Sequence, residues 1–331
     1  MKKTVYIFSS GELHRKQNTL YFENEEGKKK YIPVENTSEI MVFGEITVNK
    51  KLMEFLSQQE IILHFFSHYG YYVGSFYPRE HLNSGYMILK QAEHYLDEEK
   101  RLLLARNFVE GAIRNIEKVL AYYSNRGKEL VSFYQAIEEL VKTIGECSSP
   151  EQLMAVEGNV RNLYYQSFDV IIEDEDFYFG TRSKKPPQNR LNALISFGNS
   201  LLYTTVLSEI YKTHLDPRIG FLHTTNFRRF TLNLDVAEIF KPIVIDRLIF
   251  TLLNKKMLKR SHFEEKLNGI VLTAKGRSIF VEEFDKRLQA TIHHPRLRRN
   301  VSYRQLMRLE LYKIEKHLIG EEMYSPFIAR W

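Results

Sequence analysis

The hydrophobic period of this chain changes once, near Tyr77-Pro78-Arg79-Glu80, and that change restricts the fold more than any other feature. Before it, short apolar runs alternate with turn residues. Val5-Tyr6-Ile7-Phe8, Thr19–Phe22, Tyr31–Val34, Glu39–Phe43, Ile61–Phe66 and Tyr71–Phe76 read as strands. The second and third flank the polar turn Asn24–Lys30 with Gly27, and the last two flank Tyr69-Gly70, so both pairs read as hairpins. Asn49 can cap a short helix reaching Leu56. The expectation is a small sheet with one helix packed on it.

After residue 78 the period is helical. Residues 86–125 read as one long helix with Leu89, Tyr95, Leu102, Leu103, Phe108, Ile113, Ile116 and Leu120 inward, ending near Gly127. Leu130–Ile144 is a second helix. Ser149-Pro150-Glu151-Gln152 opens a third that runs to about Ile172. There serine caps, proline takes the first turn and Gln152 can close a capping box. Residues 181–190 form a basic, proline-containing loop. Leu191–Thr213 is a buried helix, uncharged from Leu191 to Ser208, whose Asn192, Ser196, Asn199, Thr204 and Thr205 argue against a membrane span. A helix from Phe227 kinks at Pro242. Ile270–Thr273 and Ser278–Val281 read as a hairpin, and a last helix covers 302–318. The fold class is therefore α+β, with a β-rich domain at 1–78 and a larger, mostly α-helical domain at 79–331.

Composition narrows the function. The 331 residues carry a net charge of +6 and an isoelectric point of about 9.0, which favours an anionic partner. One cysteine, Cys147, excludes an intrachain disulfide and a cysteine-based zinc site, and fits a reducing cytoplasm. The run after Lys2-Lys3 is too short for a signal peptide. No GxxxxGK[ST], GxGxxG or GxSxG is present, so nucleotide-driven work and serine hydrolysis have no motif.

The chemistry concentrates in Gly220–Asp246. His223 sits in a Gly/Thr/Asn-rich loop, and the basic pair Arg228-Arg229 follows. Asp235 and Glu238 then interrupt an apolar helical stripe of Leu232, Leu234, Val236, Ile239 and Phe240. Three residues apart on a helix, the two acids share a side. Enclosed carboxylates so close together repel and lose hydration, so an arginine or a metal ion should compensate. Arg228, Arg229 and Arg247 are candidate partners. Glu157 shares a helix face with Leu153, Val160 and Tyr164. It reads either as an i,i+4 partner of Arg161 or as a metal ligand or general base. His223 alone reads as structural or as a ligand. Together, Glu157, His223, Asp235 and Glu238 offer three carboxylates and one imidazole, which suits Mg²⁺ or Mn²⁺, the nitrogen tilting toward Mn²⁺. Phosphoryl transfer uses such a centre.

Basic clusters lie in the same domain: Arg182-Ser183-Lys184-Lys185, Arg228-Arg229, Lys255-Lys256 with Lys259-Arg260, and Arg296-Leu297-Arg298-Arg299. Any one reads as a solvated face; four beside the acids favour a DNA track. Tyr164, Tyr165, Phe227 and Tyr303 are candidates for contact with unpaired bases. His293-His294-Pro295 lacks a nearby acid and reads as structural or DNA-facing.

Five pieces now carry a resemblance: Val156-Glu157-Gly158, Leu194–Asn199, Gly220-Phe221-Leu222-His223, Leu234–Pro242 and Tyr303–Glu310. In order and spacing the chain resembles the CRISPR-associated spacer-acquisition integrase, the metal-dependent nuclease of CRISPR adaptation, over nearly its whole length. The resemblance implies an N-terminal β-domain that pairs two subunits and a C-terminal helical catalytic domain. It implies a homodimer, double-stranded DNA as both fragment and repeat, and a small ferredoxin-like companion protein. The family's metal ligands match Glu157, His223 and Glu238, and Asp235 matches the acid beside the metal. Lys241 replaces a common arginine, keeping charge but losing a bidentate contact. The tail is similar to type I systems, the I-B subtype in particular, in which a companion nuclease trims the fragment. The implied activity is insertion of foreign DNA into the CRISPR array by 3′-hydroxyl attack on the repeat phosphodiester. Two alternatives stand beside it: a non-catalytic DNA-binding scaffold of the same fold, and a repair nuclease acting on branched DNA.

Overall fold

In the computed structural model the described residues are 2–67, 69–79, 82, 84–225, 230–266 and 269–330. The chain divides into two compact units, Met1–His81 and Leu82–Trp331.

The first unit is built from β1 (Lys3–Ile7), β2 (Gly11–Lys16), β3 (Thr19–Asn24), β4 (Lys29–Ile32), β5 (Thr37–Val42), β6 (Ile46–Thr47), α1 (Lys50–Gln58), β7 (Ile62–Phe66) and β8 (Tyr72–Phe76). The expectation of one small sheet is corrected: there are two four-stranded sheets, ordered β1-β5-β7-β8 and β4-β3-β2-β6. Both expected hairpins form, with Leu20 opposite Ile32 and Leu63 opposite Phe76. Two strands of this unit were overlooked: the two-residue β6, and β2, GELHRK, in which only Leu13 is apolar. Gln17 takes the turn into β3 at φ 54°. Leu13, Leu20, Phe22 and Ile32 from one sheet meet Ile7, Ile40, Val42 and Leu63 from the other, with Leu52, Phe55 and Leu56 of α1, in one core. Asn49 caps α1 by accepting the Leu52 amide at 3.0 Å, as its side-chain chemistry predicts.

The second unit begins with α2 (Gly85–Leu96) and α3 (Glu98–Ser124). The expected single long helix is broken at Asp97, which leaves helical geometry and caps α3 through the Lys100 amide at 3.0 Å. The inward face also shifts: Leu89 is exposed, while Leu104 and Ala105 are buried. Next come α4 (Val131–Lys142), α5 (Pro150–Gln166) and α6 (Phe168–Ile172). Ser149 caps α5 with Pro150 in its first turn. Gln152 reaches one residue further back than a capping box requires and accepts the Ser148 amide at 2.8 Å.

The remaining elements are α7 (Arg190–Ile210), α8 (Leu232–Lys241), α9 (Arg247–Asn254), β9 (Phe263–Lys266), β10 (Gly269–Leu272), α10 (Ala274–Gln289), β11 (Thr291–His294), β12 (Arg299–Ser302) and α11 (Tyr303–Leu318). Helix α8 packs against α3 and α7 and is buried at every position but Leu234. At Pro242 the chain does not simply kink; it widens into a π turn, Pro242–Asp246, and continues into α9. A proline cannot donate to the preceding turn, and a wider turn accommodates that loss. The hairpin expected across 274–277 is also corrected. Strand β10 pairs with β9, and Ser278–Val281 lies inside α10, whose cap is Thr273. Ser302 and Gln305 close a capping box at α11. No described helix is long and apolar enough to cross a membrane.

Candidate active site

Helix α5 presents Glu157 half-buried, on the face that buries Leu153, Val160 and Tyr164. One turn later Arg161 donates to Glu157 Oε1 from Nε at 3.0 Å and from Nη2 at 2.9 Å. The i,i+4 pair foreseen in the sequence is therefore real, but it is only half of the arrangement. The same Nη2 donates to Glu238 Oε2 of α8 at 2.7 Å. Arg161 bridges two carboxylates that lie 81 positions apart in the chain, and its Nη1 is buried without a hydrogen-bond partner among the described residues.

Glu238 has a second cation. Lys241, one turn on, donates to its Oε1 and lies 4.9 Å from the centroid of the Tyr203 ring. Burial alone would raise the Glu238 carboxyl. Lys241, Arg161 and His223 overcome that and hold it down at about 2. The compensation that enclosed acids require is supplied here by arginine and lysine.

Asp235 has a different set of partners, although it shares α8. Its Oδ2 accepts the amides of Phe221 at 2.6 Å and Leu222 at 3.0 Å, and its Oδ1 accepts the His223 amide at 3.0 Å. The same Oδ1 faces His223 Nδ1 at 2.8 Å. Gly220 permits this wrap, since a Cβ there would stand 2.7 Å from Asp235 Oδ2. With both oxygens committed to four donors, Asp235 anchors the loop. A carboxylate at Nδ1 selects the tautomer with the proton on Nδ1, which leaves the Nε2 lone pair available. Burial lowers the His223 pKa, but the hydrogen bond and charge of Asp235 raise it more, so the net direction is upward.

The donor set fits a hard divalent cation. It offers two carboxylates and one imidazole nitrogen oriented by a carboxylate behind it. Among the described residues, no group of three or more His, Cys, Asp and Glu side chains is gathered as a ready-made metal site; Arg161 stands between the two glutamates. Asp246 of the π turn adds a further buried acid, neither of whose oxygens has a hydrogen-bond partner among the described residues.

Of the basic candidates, Arg182 folds back onto α7, donating to Asn192 Oδ1 at 2.8 Å and Ser196 Oγ at 3.1 Å. Lys184 and Lys185 are exposed. The Lys184 ammonium is lowered by partial desolvation and then by Arg182 and Lys241, with Glu238 and Glu157 opposing, so this loop lies within electrostatic reach of the glutamates. Arg298 and Arg299 are exposed in the β11–β12 hairpin, and no hydrogen bond or ion pair joins them to Glu157 or Glu238 among the described residues. Arg228, Arg229 and Phe227 lie outside the described residues. Tyr164, Tyr165 and Tyr303 are at most 5% exposed, so they are core residues and not stacking platforms. His294 accepts the Leu297 amide at 3.2 Å and shapes its turn. Cys147 is buried and structural, donating to the Thr143 carbonyl. Sequence reading overlooked the bridging role of Arg161, the partnership of Lys241 and the burial of Asp246. The spacings Glu157–Arg161 and Glu238–Lys241 were the available signals.

As a likeness of fold alone, at 18% identity, the chain matches a casposase bound to integration product with a TM-score of 0.87, over 99% of this chain and 96% of that one. A solved CAS1 protein from Thermotoga maritima is 50% identical with a TM-score of 0.87, over 98% of this chain and 99% of that one. A CRISPR-associated endonuclease Cas1 of Thermodesulfovibrio yellowstonii is 66% identical over 331 residues, all of both chains. Residues 5–286 match the family described as CRISPR associated protein Cas1. The chain belongs to the Cas1 family, the endonucleases and integrases of CRISPR adaptation.

Proposed function

We propose that this protein is a metal-dependent DNA endonuclease and integrase that inserts foreign DNA fragments into a CRISPR array. The observation that carries the reading is the convergence of Glu157 and Glu238 on Arg161, with His223 held by Asp235 through Nδ1 so that Nε2 carries the lone pair.

Glu157, His223 and Glu238 would hold Mg²⁺ or Mn²⁺. When bound, such an ion neutralises phosphate oxygens and favours loss of a proton from an attacking hydroxyl. The chain's own residues do the remainder. Asp235 fixes the His223 ring and its tautomer. Arg161 and Lys241 keep Glu238 ionised in a buried setting. Lys184 and Lys185, with the basic pairs Arg228-Arg229 and Arg298-Arg299, offer charge to the DNA backbone. In the reaction the 3′-oxygen of the fragment bonds to the repeat phosphorus. The bond from that phosphorus to the 3′-oxygen of the strand flanking the repeat breaks, and the leaving oxygen ends as a hydroxyl. No covalent enzyme intermediate and no nucleotide energy source is needed. The β-rich unit is assigned to pairing in a homodimer, the helical unit to catalysis. A small ferredoxin-like companion protein joins the assembly and, in a type I-B-like system, a trimming nuclease supplies the fragment.

The test is strand transfer of a short duplex with free 3′-hydroxyls into a supercoiled plasmid carrying a CRISPR repeat, with the companion protein, in Mn²⁺, Mg²⁺ or chelator. Joining that needs metal and is abolished in Glu157→Ala and His223→Ala supports the reading. Joining retained in Glu157→Ala overturns the site. One observation favours a second reading, a non-catalytic DNA-binding scaffold: the Arg161 bridge already neutralises both glutamates. Salt-sensitive DNA binding with no joining in any metal would support the scaffold.

A further inference from the structure

Beyond α11 the chain runs without regular secondary structure from Tyr324 to Ala329, with both of those residues buried. One side chain ties this segment to the acid-bearing helix. Asn115 of α3 is wholly buried. Its Nδ2 donates to the Ile239 carbonyl of α8 at 2.9 Å and to the Phe327 carbonyl at 3.0 Å. Its Oδ1 accepts the Ala329 amide at 2.8 Å. Ile239 is the residue after Glu238.

Packing follows the same path. The Phe327 ring stacks on Phe240 with centroids 5.8 Å apart and planes 7° apart. Pro326 fills the space above Gly111 of α3, where a Cβ would stand 2.5 Å from the proline and 3.3 Å from Ile239. Glu310 of α11 holds the segment from the other side, accepting from the Tyr324 hydroxyl at 2.6 Å and the Phe327 amide at 3.0 Å. If the segment left, Asn115 would keep a buried acceptor and a buried donor with no partner. Such groups cost enough to make the side chain turn away from Ile239 as well.

We infer that residues 324–329 form a strap that, through Asn115, sets the position of α8 and so the aim of Glu238. Asn115 is a positioning residue; no hydrogen bond or ion pair joins it or the strap to Glu157, His223 or Glu238 among the described residues. The inference rests on the reading of Glu238 as part of the reacting site.

The experiment compares the full chain with one shortened by residues 324–331. It measures kcat and KM for strand transfer, DNA affinity, and amide hydrogen exchange across residues 232–246. The expected result is a kcat lower by about 100-fold, the scale of loss from an ångström of misplacement, with KM and DNA affinity unchanged. Exchange should quicken in α8 and stay unchanged in α4. A peptide of residues 322–331 added in trans should restore both, and the same peptide carrying Phe327→Ala should not. A shortened chain with full kcat and unchanged exchange overturns the strap. Should the shortened chain fail to fold, Phe327→Ala in the full chain decides: a loss confined to kcat supports the strap, and unchanged kcat overturns it. If the full chain itself joins no DNA, the functional reading fails. Exchange then decides the strap alone: quickening reversed by the peptide sustains it, and no change overturns it.

Discussion

Arg161 and Glu238 meet at 2.7 Å with both side chains almost fully buried, one carried by α5 and the other by α8. The pair fastens the two helices that bring the glutamates together. Removing one member of a buried pair leaves an uncompensated charge, and the loss is typically about 3–5 kcal/mol. Arg161→Ala should show a loss of that order in urea unfolding. Arg161→Lys should recover only part of it, because an ammonium cannot span both carboxylates as a planar fork does. Glu157, the more exposed partner, should tolerate Gln with a cost of about 1 kcal/mol or less. An Arg161→Ala variant as stable as the parent would show that the bridge contributes nothing net.

Asp235→Asn tests the orientation of His223. The amide keeps the shape, but it cannot accept four donors as a carboxylate does. Losing such a partner behind a ligand histidine typically costs about 10–100-fold in metal affinity or activity. The direction of the pH effect is also set. Asp235 raises the His223 pKa, and the imidazole must be neutral to offer Nε2. Without the carboxylate, the acid limb of the activity profile should move to lower pH. A limb that stays in place, or moves up, would contradict the tautomer assignment.

Glu209 of α7 is wholly buried and gathers Lys212 at 3.0 Å, Arg304 at 2.8 Å and Arg308 at 2.5 Å, the last two from α11. Burial would raise its carboxyl, but the three cations hold it at about 2. Its folded pKa lies below the unfolded value, so its contribution is present above about pH 4.5 and lost as pH falls toward 2. That contribution is on the order of 3 kcal/mol. Glu209→Gln should lower stability at pH 7 by about that amount and flatten the decline between pH 5 and pH 2.5, followed by denaturant titration. An equal decline in variant and parent would sink the assignment.

Asp246 behaves in the opposite sense. Burial pushes its carboxyl up to about 7 against the opposing pull of Arg161 and Lys241, with Glu238 adding to the rise. The folded chain therefore keeps a proton that the unfolded chain releases above about pH 4. Stability attributable to this group falls as pH rises from about 4 to 7 and stays low above. Asp246→Asn removes the titration, so at pH 8 the variant should gain on the order of 2–4 kcal/mol over the parent relative to the same comparison at pH 4. Parallel pH profiles for the two proteins would refute this.

Local sequence determined much of this molecule. Caps at Asn49, Ser149 and Ser302 act through atoms a few residues away, and the uncharged run of α7 required burial whatever surrounded it. The pairings Glu157–Arg161 and Glu238–Lys241 follow from helical spacing alone. The short β2 was not legible, because one apolar residue in six makes no alternation. The break at Asp97 was hidden because a capping aspartate also fits a helix surface. The meeting of Glu157 with Glu238 across Arg161, and the tie from Asn115 to Ile239 and Phe327, were decided by tertiary structure. They join residues far apart in the chain, and nothing in a local period specifies which buried charge or amide will face which. The packing of α8 between α3 and α7 sets those partners, because a buried polar group must find its complement among whatever the fold brings within 3 Å.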